Sequence, residues 1–400
     1  MNYPQVPISA VASFINGFPF KPDDWGHEGY PIIRIQNLTD PKKVSNRTNK
    51  KVPDKYLVTK GDILVSWSAT IDIFEWDRED SLLNQHIFKV VFDYKRIDKE
   101  FFKLAIRKTI EELSKFAHGA TMKHIIKGDF DKHKIPLPPL DDQKRIAHLL
   151  GNVERMIAQR KQHLQHLDDL LKSVFLDMFG DPVRNEKGWK KRPFDDLLLG
   201  IESGSSPKCE ARVAEQGEWG ILKLGAVTGC VFKEGENKAL PHDVKPQMKD
   251  EVRKGDLLFS RKNTYELVAA CVYVFDTRPK LLLPDLIFRF VFKNDAKINP
   301  IYMWKLLTSS SQRAKIQTLA SGAAGSMPNI SKANLRKASL PVPPFELQNQ
   351  FAAIVEKVEG LKSRYQQSLT DLQNVYDALS QKAFKGELDL SRVKGMHLAF

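Results

Sequence analysis

The chain has 400 residues, of which 42% are hydrophobic and 28% charged, and its formal net charge is +13. This length exceeds the size at which a single hydrophobic core keeps growing, so more than one domain is expected. The three cysteines give neither a disulfide framework nor a metal knuckle. The longest apolar run is too short to cross a bilayer, and the opening residues lack the charged head of a signal peptide. The sequence therefore predicts a cytoplasmic protein without membrane contact.

The N-terminal region carries mixed secondary-structure signals. Tyr30 to Ile35 and Leu83 to Phe92 are short apolar runs that predict strands, and Gly61 to Ser66 predicts a tight turn that leads into a strand. Lys99 to Phe116 predicts an amphipathic helix. A mixed, strand-dominated domain is therefore expected, although the order of its strands cannot be predicted.

A strongly basic segment lies within this region. Between Lys42 and Lys60 there are seven cations and the single acid Asp54. Such a segment attracts phosphate, and nucleic acid is the usual partner. A membrane-surface helix is the rival interpretation, but Pro53 and the missing apolar face disfavour it.

A proline-rich segment then precedes a long helical pattern. Pro136 to Leu140 cannot be helical throughout, and acidic residues follow in the first predicted turn. The predicted helix ends at Gly180, a residue suited to the C-cap. Apolar positions alternate at three and four residues, with one polar member, as in a coiled-coil seam: Leu150, Val153, Ile157, Arg160, Leu164, Leu167, Leu171, Val174 and Met178. From Asp141 to Met178 this helix would be roughly 57 Å long.

The second half of the chain repeats the first. The Gly-Asp strand returns at Gly255, the following apolar strand at Ile287, and the proline-rich segment at Pro341, with offsets of 194, 200 and 205. Pro300 to Leu319 predicts the counterpart of the first amphipathic helix. A second seam is predicted at Phe351, Ile354, Val358, Leu361, Tyr365, Ser368, Leu372, Val375 and Leu379, before a C-cap at Gly386.

The two predicted helices need a partner for their seams. A surface helix packed on its own domain is one possibility, but it normally shows a wider apolar stripe. We therefore expect the helices to pair within the chain, antiparallel, as a spacer between the domains. The predicted fold class is α+β: two duplicated mixed α/β domains separated by two long antiparallel helices that form an intramolecular coiled coil with pseudo-two-fold symmetry.

These features together resemble the specificity subunit of Type I restriction-modification systems. The resemblance covers essentially the whole chain and rests on the repeated order of its motifs. They are Asn16-Gly17-Phe18-Pro19 and Ser203-Gly204-Ser205-Ser206, the Gly-Asp strands, the proline-rich segments with a following glutamine, and the helix ends at Phe179-Gly180-Asp181 and Phe384-Lys385-Gly386. Each motif alone is weak, but their order, found twice, is specific.

The resemblance implies a DNA-reading protein with two target recognition domains. Each would read one half of a bipartite, asymmetric sequence, and the helices would set the gap. The implied segments are residues 1–140 and 181–345 for the two domains, 141–180 and 346–386 for the helices, and 387–400 for a tail. The implied partners are double-stranded DNA, two methyltransferase (modification) subunits and restriction/translocase subunits. No cofactor is expected in this chain, because S-adenosylmethionine, Mg²⁺ and ATP would belong to the partner subunits.

Candidate DNA-binding residues follow from charge and position. Base reading requires polar side chains beyond the framework strands, and affinity requires cations near phosphate. The base-reading candidates are Ser68, Thr70, Arg261, Lys262 and Asn263, with Arg261 suited to guanine and Asn263 to adenine, although each could instead cap a turn. The phosphate candidates are Lys42, Lys43, Arg47, Lys50 and Lys51. Further candidates are Lys123, His124, Lys127, Ser205, Ser206, Lys208, Asn329 and Lys332.

Asn84, Gln85 and His86 could read adenine, but we expect them to satisfy backbone groups at the end of a strand. His124 is not expected to bind a metal, because no cluster of ligands surrounds it.

The alternative classes are a stand-alone DNA-modifying enzyme and a coiled-coil structural adaptor. An adenine methyltransferase needs a polar residue ahead of Pro-Pro-aromatic, but here Val342 occupies that position, and a glycine-rich cofactor loop after a strand is missing. A carboxylate and lysine set for metal-dependent nuclease chemistry is also missing. An adaptor explains the helices but not the duplicated basic domains. We therefore expect no catalytic residue and no metal site.

Overall fold

The computed structural model describes residues 3–40, 42–68, 70–116, 127–321, 327–391 and 393, without the side chains of residues 113–116, 127 and 129. The chain forms two compact units. The first contains residues 1–160 and 368–400, and the second contains residues 161–367. Each unit therefore holds one sheet-containing domain and half of each long helix.

The strands of the first unit are short, as the sequence predicts. They are β1 (Gln5–Pro7), β2 (Ala12–Asn16), β3 (Tyr30–Ile33), β4 (Arg47–Thr48), β5 (Leu57–Val58), β6 (Ile63–Ser66), β7 (Asp72–Glu75), β8 (Ser81–Leu83), β9 (Ile87–Phe92) and β10 (Lys134–Pro136). Those of the second are β11 (Lys191–Pro193), β12 (Leu198–Ser203), β13 (Gly220–Leu222), β14 (Asn237–Ala239), β15 (Leu257–Ser260), β16 (Cys271–Tyr273), β17 (Leu281–Leu282), β18 (Ile287–Phe292) and β19 (Ser339–Pro341). The predicted strand from Leu83 to Phe92 was wrong as one element, because a turn at residues 84–86 separates β8 from β9.

The helices include two that are much longer than the rest. They are α1 (Ile35–Thr39), α2 (Lys99–Phe116), α3 (Lys127–Lys132), α4 (Leu140–Phe179), α5 (Phe194–Leu197), α6 (Gly225–Thr228), α7 (Pro300–Thr308), α8 (Ser310–Gln317), α9 (Lys332–Arg336) and α10 (Phe345–Lys385). Helix α2 has the predicted bounds. The predicted helix from Pro300 to Leu319 was wrong as one element, because Ser309 is extended, with ψ of 140°, and separates α7 from α8.

The two units have the same sheet topology, except that the edge strand β5 of the first unit has no counterpart strand in the second. In the first, β2-β9-β6-β7 form an antiparallel sheet, β4-β3-β8-β5 form a sheet in which β3 and β8 run parallel, and β1 pairs with β10. In the second, the corresponding orders are β12-β18-β15-β16, β14-β13-β17 with β13 and β17 parallel, and β11-β19. The duplication predicted from sequence is thus a duplication of strand order.

The repeated Gly-Asp motif is a structural device in both units. Gly61 and Gly255 have φ of +93° and +95°, values that favour glycine. The aspartate that follows Gly61 accepts a hydrogen bond from the Thr59 N–H at 2.7 Å and lies 2.7 Å from Lys89 Nζ of β9. In the second unit, the aspartate after Gly255 makes the equivalent ion pair with Arg289 of β18 at 3.2 Å. This motif anchors a strand through its glycine conformation and its ion pair.

The long helices pair antiparallel within each unit. In the first unit, the start of α4 packs with the end of α10, where Ile146 and Phe384 share one buried cluster. In the second, the end of α4 packs with the start of α10, where the rings of Phe179 and Phe351 are 5.3 Å apart. Gly180 and Gly386 both have φ of +73°, as the predicted C-caps require. The predicted α+β fold class with antiparallel helices is confirmed.

The seam of α4 has the predicted positions, but that of α10 differs. Every predicted seam residue of α4 is buried or half-buried. In α10, three of the four alternate predicted positions are exposed, namely Ile354 by 36%, Leu361 by 42% and Val375 by 46%, and the fourth, Ser368, is half-buried. The packed positions are those one residue later, namely Val355, Lys362, Leu369 and Tyr376. A lysine and a tyrosine thus occupy the seam, and three apolar residues face away from it.

A buried glutamine joins each long helix to its domain. Gln143 Oε1 accepts from the Asp98 N–H at 2.8 Å, and its Nε2 donates to the carbonyls of Arg96 and Pro138. Gln348 repeats the arrangement, with Oε1 accepting from the Asn299 N–H at 2.9 Å. Its Nε2 donates to the carbonyls that precede α7 and α10. The glutamine of the repeated sequence motif therefore fixes the helix against the loop before α2 or α7.

Candidate nucleic-acid interface

In the second unit, four segments lie together: those that follow β12 and β15, the β17–β18 turn, and the segment that precedes α9. The segment after β12 approaches the β17–β18 turn so closely that a Cβ on Gly204 would lie 1.7 Å from the Leu283 carbonyl oxygen. The Gly204 N–H donates to the Pro284 carbonyl at 3.2 Å. Gly17 occupies the equivalent place in the first unit, where a Cβ would lie 2.0 Å from the Asn84 carbonyl oxygen. The glycine of this motif is required by backbone packing.

Arg261 lies at the centre of this convergence. Its N–H donates to the Leu286 carbonyl at 3.1 Å, and its carbonyl accepts from the Ile330 N–H at 2.8 Å. Its Nε donates to the Asp285 carbonyl at 3.0 Å, and its guanidinium carbon is 5.4 Å from the centroid of the Phe288 ring. Backbone and side chain are therefore both held in place.

Several predicted residues of the second unit surround Arg261. Lys332 Nζ lies 5.3 Å from the same Phe288 ring. Lys262 and Asn329 form a backbone bridge. Ser206 donates a hydrogen bond to the Asp285 carboxylate. Residues predicted from separate sequence segments thus form one cluster.

Asn263 differs from its neighbours. It is only 8% exposed, its Nδ2 is 3.3 Å from the Thr228 hydroxyl, and its Oδ1 accepts from the Thr264 N–H at 2.9 Å. Both ends of the amide are used within the chain, which is the turn-capping role that the sequence left open. Adenine reading by Asn263 stays a prediction, and it would have to use the second hydrogen of Nδ2 and the second lone pair of Oδ1.

A cleft of about 380 Å³ adjoins this cluster. Its walls include Ser206 and Lys208, both predicted, and also Lys223 and Lys238, which sequence reasoning missed. These two lysines lie after β13 and within β14, where the sequence shows no concentration of charge. The fold gathers them, and Lys223 also pairs with Glu236 at 2.8 Å.

The first unit has a different chemistry at the equivalent place. Trp67 occupies the position of Arg261, and its ring is 5.8 Å from Phe88 and 4.8 Å from His86. The predicted Ser68 is 8% exposed, and Thr70 is exposed, with its carbonyl accepting from the Ser66 hydroxyl.

Of the three polar residues of the β8–β9 turn, Asn84 serves the backbone as expected, whereas Nδ1 of His86 is buried without a hydrogen-bond partner among the described residues. Asn84 Oδ1 accepts from the Gln85 N–H at 2.9 Å. The next residue, His86, has φ of +74°, a conformation that is costly for a residue with a Cβ.

The five phosphate candidates of the basic segment fall into two groups. Arg47 pairs with Glu79 at 2.6 Å, and Lys50 pairs with Asp24 at 2.8 Å. The remaining three are exposed, and none of them has an ion pair among the residues that the structure describes: Lys42, Lys43 and Lys51. These three are the better placed for phosphate. Lys123 and His124 lie outside the described residues, as does the side chain of Lys127, which begins α3.

Comparison with known proteins agrees with this architecture. The family described as "Type I restriction modification DNA specificity domain" matches residues 6–168 and 186–371. The chain belongs to this family. The specificity subunit of the Escherichia coli Type I restriction enzyme EcoBI is 22% identical over 96% of this chain and 86% of that protein. The specificity subunit of the Methanocaldococcus jannaschii enzyme MjaVIII is 24% identical over 83% of this chain and 80% of that protein.

A solved structure shares the fold. The S subunit of a Type I restriction-modification system from M. genitalium superposes with a TM-score of 0.60 at 17% identity, covering 96% of both chains. The family match and the curated relatives, and not this superposition, identify the chain as the DNA-recognition subunit of a Type I restriction-modification system, a kind of subunit that binds DNA and assembles with others and is not itself catalytic.

The described residues of the specificity subunit lack two features. They contain no group of three or more His, Cys, Asp or Glu side chains that could hold a metal ion. No helix among them is long and apolar enough to cross a membrane.

Proposed function

We propose that each unit of the specificity subunit reads one half of a bipartite, asymmetric DNA sequence. The supporting observation is that one strand order places the same loops in both units, whereas the residues at equivalent loop positions differ, as at Trp67 and Arg261. Two units that share a scaffold but differ in their loop residues fit a DNA site whose two halves differ in sequence.

Mapping of methylated adenine in cells that carry the complete system tests this proposal. A two-part motif with unequal halves and a fixed gap is expected, and a continuous or palindromic motif would contradict it.

We further propose that the paired helices set the gap between the half-sites. Both helices continue from one unit into the other, because α4 and α10 each cross the boundary between the two units. Inserting seven residues after Arg160 and seven after Gln367 preserves the heptad register. The added helix is about 10 Å long, which corresponds to about three base pairs. The gap in the motif should grow by that amount while both half-sites stay the same, and an unchanged gap would refute the role of spacer.

We propose that two modification subunits dock on the apolar faces that the helix pair leaves exposed. In the second unit, Leu170 of α4 and both Ile354 and Leu361 of α10 are exposed. In the first unit, Met156 of α4 and Val375 of α10 are exposed. Each of these residues precedes a seam position by one, and equal flanking positions of antiparallel helices lie on the same side of the pair. Apolar faces of this kind mark protein interfaces, and one face in each unit suits two partners.

A charge on one face tests the docking proposal. Leu361→Glu should reduce the number of modification subunits bound from two to one, as measured by native mass spectrometry of the purified complex. Ser363→Glu is the matched control, because residue 363 is exposed and lies about 200° around the same helix. Equal stoichiometry in the two variants would exclude this face as the docking site.

We propose that S-adenosylmethionine, Mg²⁺ and ATP act only in the modification and restriction/translocase partners, in the cytoplasm. The segment of this chain that comes nearest to an adenine-binding motif has a different task. The Val342 N–H donates to the Lys190 carbonyl at 2.9 Å, and the Pro343 carbonyl accepts from Gln348 at 2.9 Å. These residues hold the start of α10.

The purified chain should therefore transfer no methyl group from S-adenosylmethionine to DNA until a modification subunit is added. Turnover by the chain alone would contradict this division of labour.

A further inference from the structure

We propose that Arg261 is the side chain by which the second unit recognises a guanine in its half-site. This inference rests on the proposed reading of one half-site by each unit. It concerns one residue, one base pair and one half of the DNA sequence.

Arg261 is held in place by the chain itself, before any DNA binds. Its backbone is hydrogen-bonded on both sides, to the β17–β18 turn and to the segment that precedes α9. The side chain is held at Nε by the Asp285 carbonyl at 3.0 Å, and the guanidinium lies over the Phe288 ring. A side chain held in this way loses little conformational entropy on binding, which is what a precise reader requires.

The two terminal nitrogens of Arg261 are available to a ligand. In the part of the second unit that the structure describes, neither Nη1 nor Nη2 of Arg261 has a hydrogen-bond acceptor or a carboxylate partner. Every other arginine of residues 181–344 uses at least one terminal nitrogen on a carboxylate, a carbonyl or a sulfur of the chain. These are Arg184, Arg192, Arg212, Arg253, Arg278, Arg289, Arg313 and Arg336. Only Arg261 combines a fixed Nε with two donors left for a ligand.

The presence of Asp285 next to Arg261 favours a base over a phosphate as the ligand. A guanidinium fork matches both the O6 and N7 atoms of guanine and the oxygens of phosphate. Asp285, whose backbone carbonyl holds Nε, is a half-buried residue, and its carboxylate accepts a hydrogen bond from Ser206 and forms no ion pair with Arg261. A carboxylate repels phosphate, but it accepts a hydrogen bond from the N4 amino group of cytosine. Arg261 and Asp285 together therefore match a G·C pair better than a phosphate.

The first unit supplies an internal control. Trp67 holds the position equivalent to Arg261, on the equivalent ring of Phe88, and an indole cannot donate a two-pronged hydrogen bond. A guanine read at this position is therefore expected only in the half-site of the second unit.

The test is enrichment of binding sites from randomised duplexes by the purified full-length chain. Arg261→Gln and Arg261→Lys should both relax one G·C pair in one half-site, and leave the other half and the gap unchanged. Affinity for the wild-type site should fall on the order of ten- to a hundredfold. Arg336→Gln is the matched control, because Arg336 pairs with Asp195 outside this cluster, and its motif should equal that of the wild type.

A modified base makes the test specific. Replacing the assigned guanine with 7-deazaguanine, which lacks the N7 acceptor, should weaken wild-type binding but leave Arg261→Gln binding unchanged. An intact motif in both Arg261 variants would overturn the inference, as would an equal loss of affinity for all sequences, which indicates a phosphate contact. A wild-type chain that enriches no two-part motif would instead overturn the proposed function, and this inference with it.

Discussion

Replacing Gln348 should destabilise the second unit more than any exposed substitution on the same helix. Its side chain is fully buried and makes three hydrogen bonds, one from the Asn299 N–H and two to the carbonyls of Lys297 and Pro343. A buried hydrogen bond contributes about 1 kcal/mol net, so Gln348→Ala should lower the free energy of unfolding by about 3 kcal/mol. For a unit of about 200 residues this corresponds to a fall in melting temperature of about 6–12 °C.

Scanning calorimetry and hydrogen exchange together test this value. The melting temperature of the full chain should fall, and the amide of Asn299, which donates to Gln348, should lose protection from exchange. Gln350→Ala is the matched control, because Gln350 is an exposed glutamine two residues further along α10, and its effect should stay within about 0.5 kcal/mol. Gln143→Ala should affect the first unit as Gln348→Ala affects the second. If Gln348→Ala has no larger effect than the control, the three bonds do not join helix to domain.

Two further predictions concern charge. Burial lowers the pKa of Lys305 from 10.5 to about 8, although Glu359 lies 3.6 Å away. The unfolded chain therefore binds more protons than the folded chain between about pH 8 and pH 10.5, and stability should rise with pH in that window. Melting temperatures between pH 8 and pH 9.5 should show this rise, and Lys305→Met should remove it; a variant with the same slope would exclude Lys305 as the cause. Lys51→Ala should weaken binding to all duplexes and reduce the salt dependence by about one unit. Lys50→Ala should have a smaller effect, because Asp24 already neutralises Lys50, and the reverse order in salt titrations would contradict the assignment.

The repeated framework could be predicted from sequence because local physical requirements produce its motifs. A glycine with positive φ, a C-cap and a buried glutamine each leave a residue type that cannot be exchanged freely. The seam of α10 could not be predicted in the same way. Lys362 and Tyr376 pack along their apolar stems while their polar tips reach Asp168 at 2.8 Å and Glu154 at 2.9 Å. The spacing of apolar residues alone therefore predicts Leu361 and Val375 as seam positions, although both are exposed.

The breaks within elements also escaped prediction. Leu83 to Phe92 is mostly apolar, and the turn inside it depends on His86 adopting a φ of +74°, which no residue type signals there. The break between α7 and α8 occurs at Ser309, whose hydroxyl donates to the Leu306 carbonyl at 2.8 Å. Serine competes with the helix through such bonds, but it is common within helices, so the sequence gives no clear warning.

The candidate site shows why framework and specificity can change independently. Gly17 and Gly204 allow the backbone after β2 and β12 to touch the neighbouring turn, and this contact fixes the loops whatever their side chains are. Position 67 or 261 lies beside that contact, on the ring of Phe88 or Phe288, and it accepts either a tryptophan or an arginine. Under the proposed reading of DNA at this position, a substitution there would change the donors offered to DNA without changing the backbone that holds them. A duplicated scaffold can therefore acquire two different specificities, one in each unit, by exchanging residues at this single position and its neighbours.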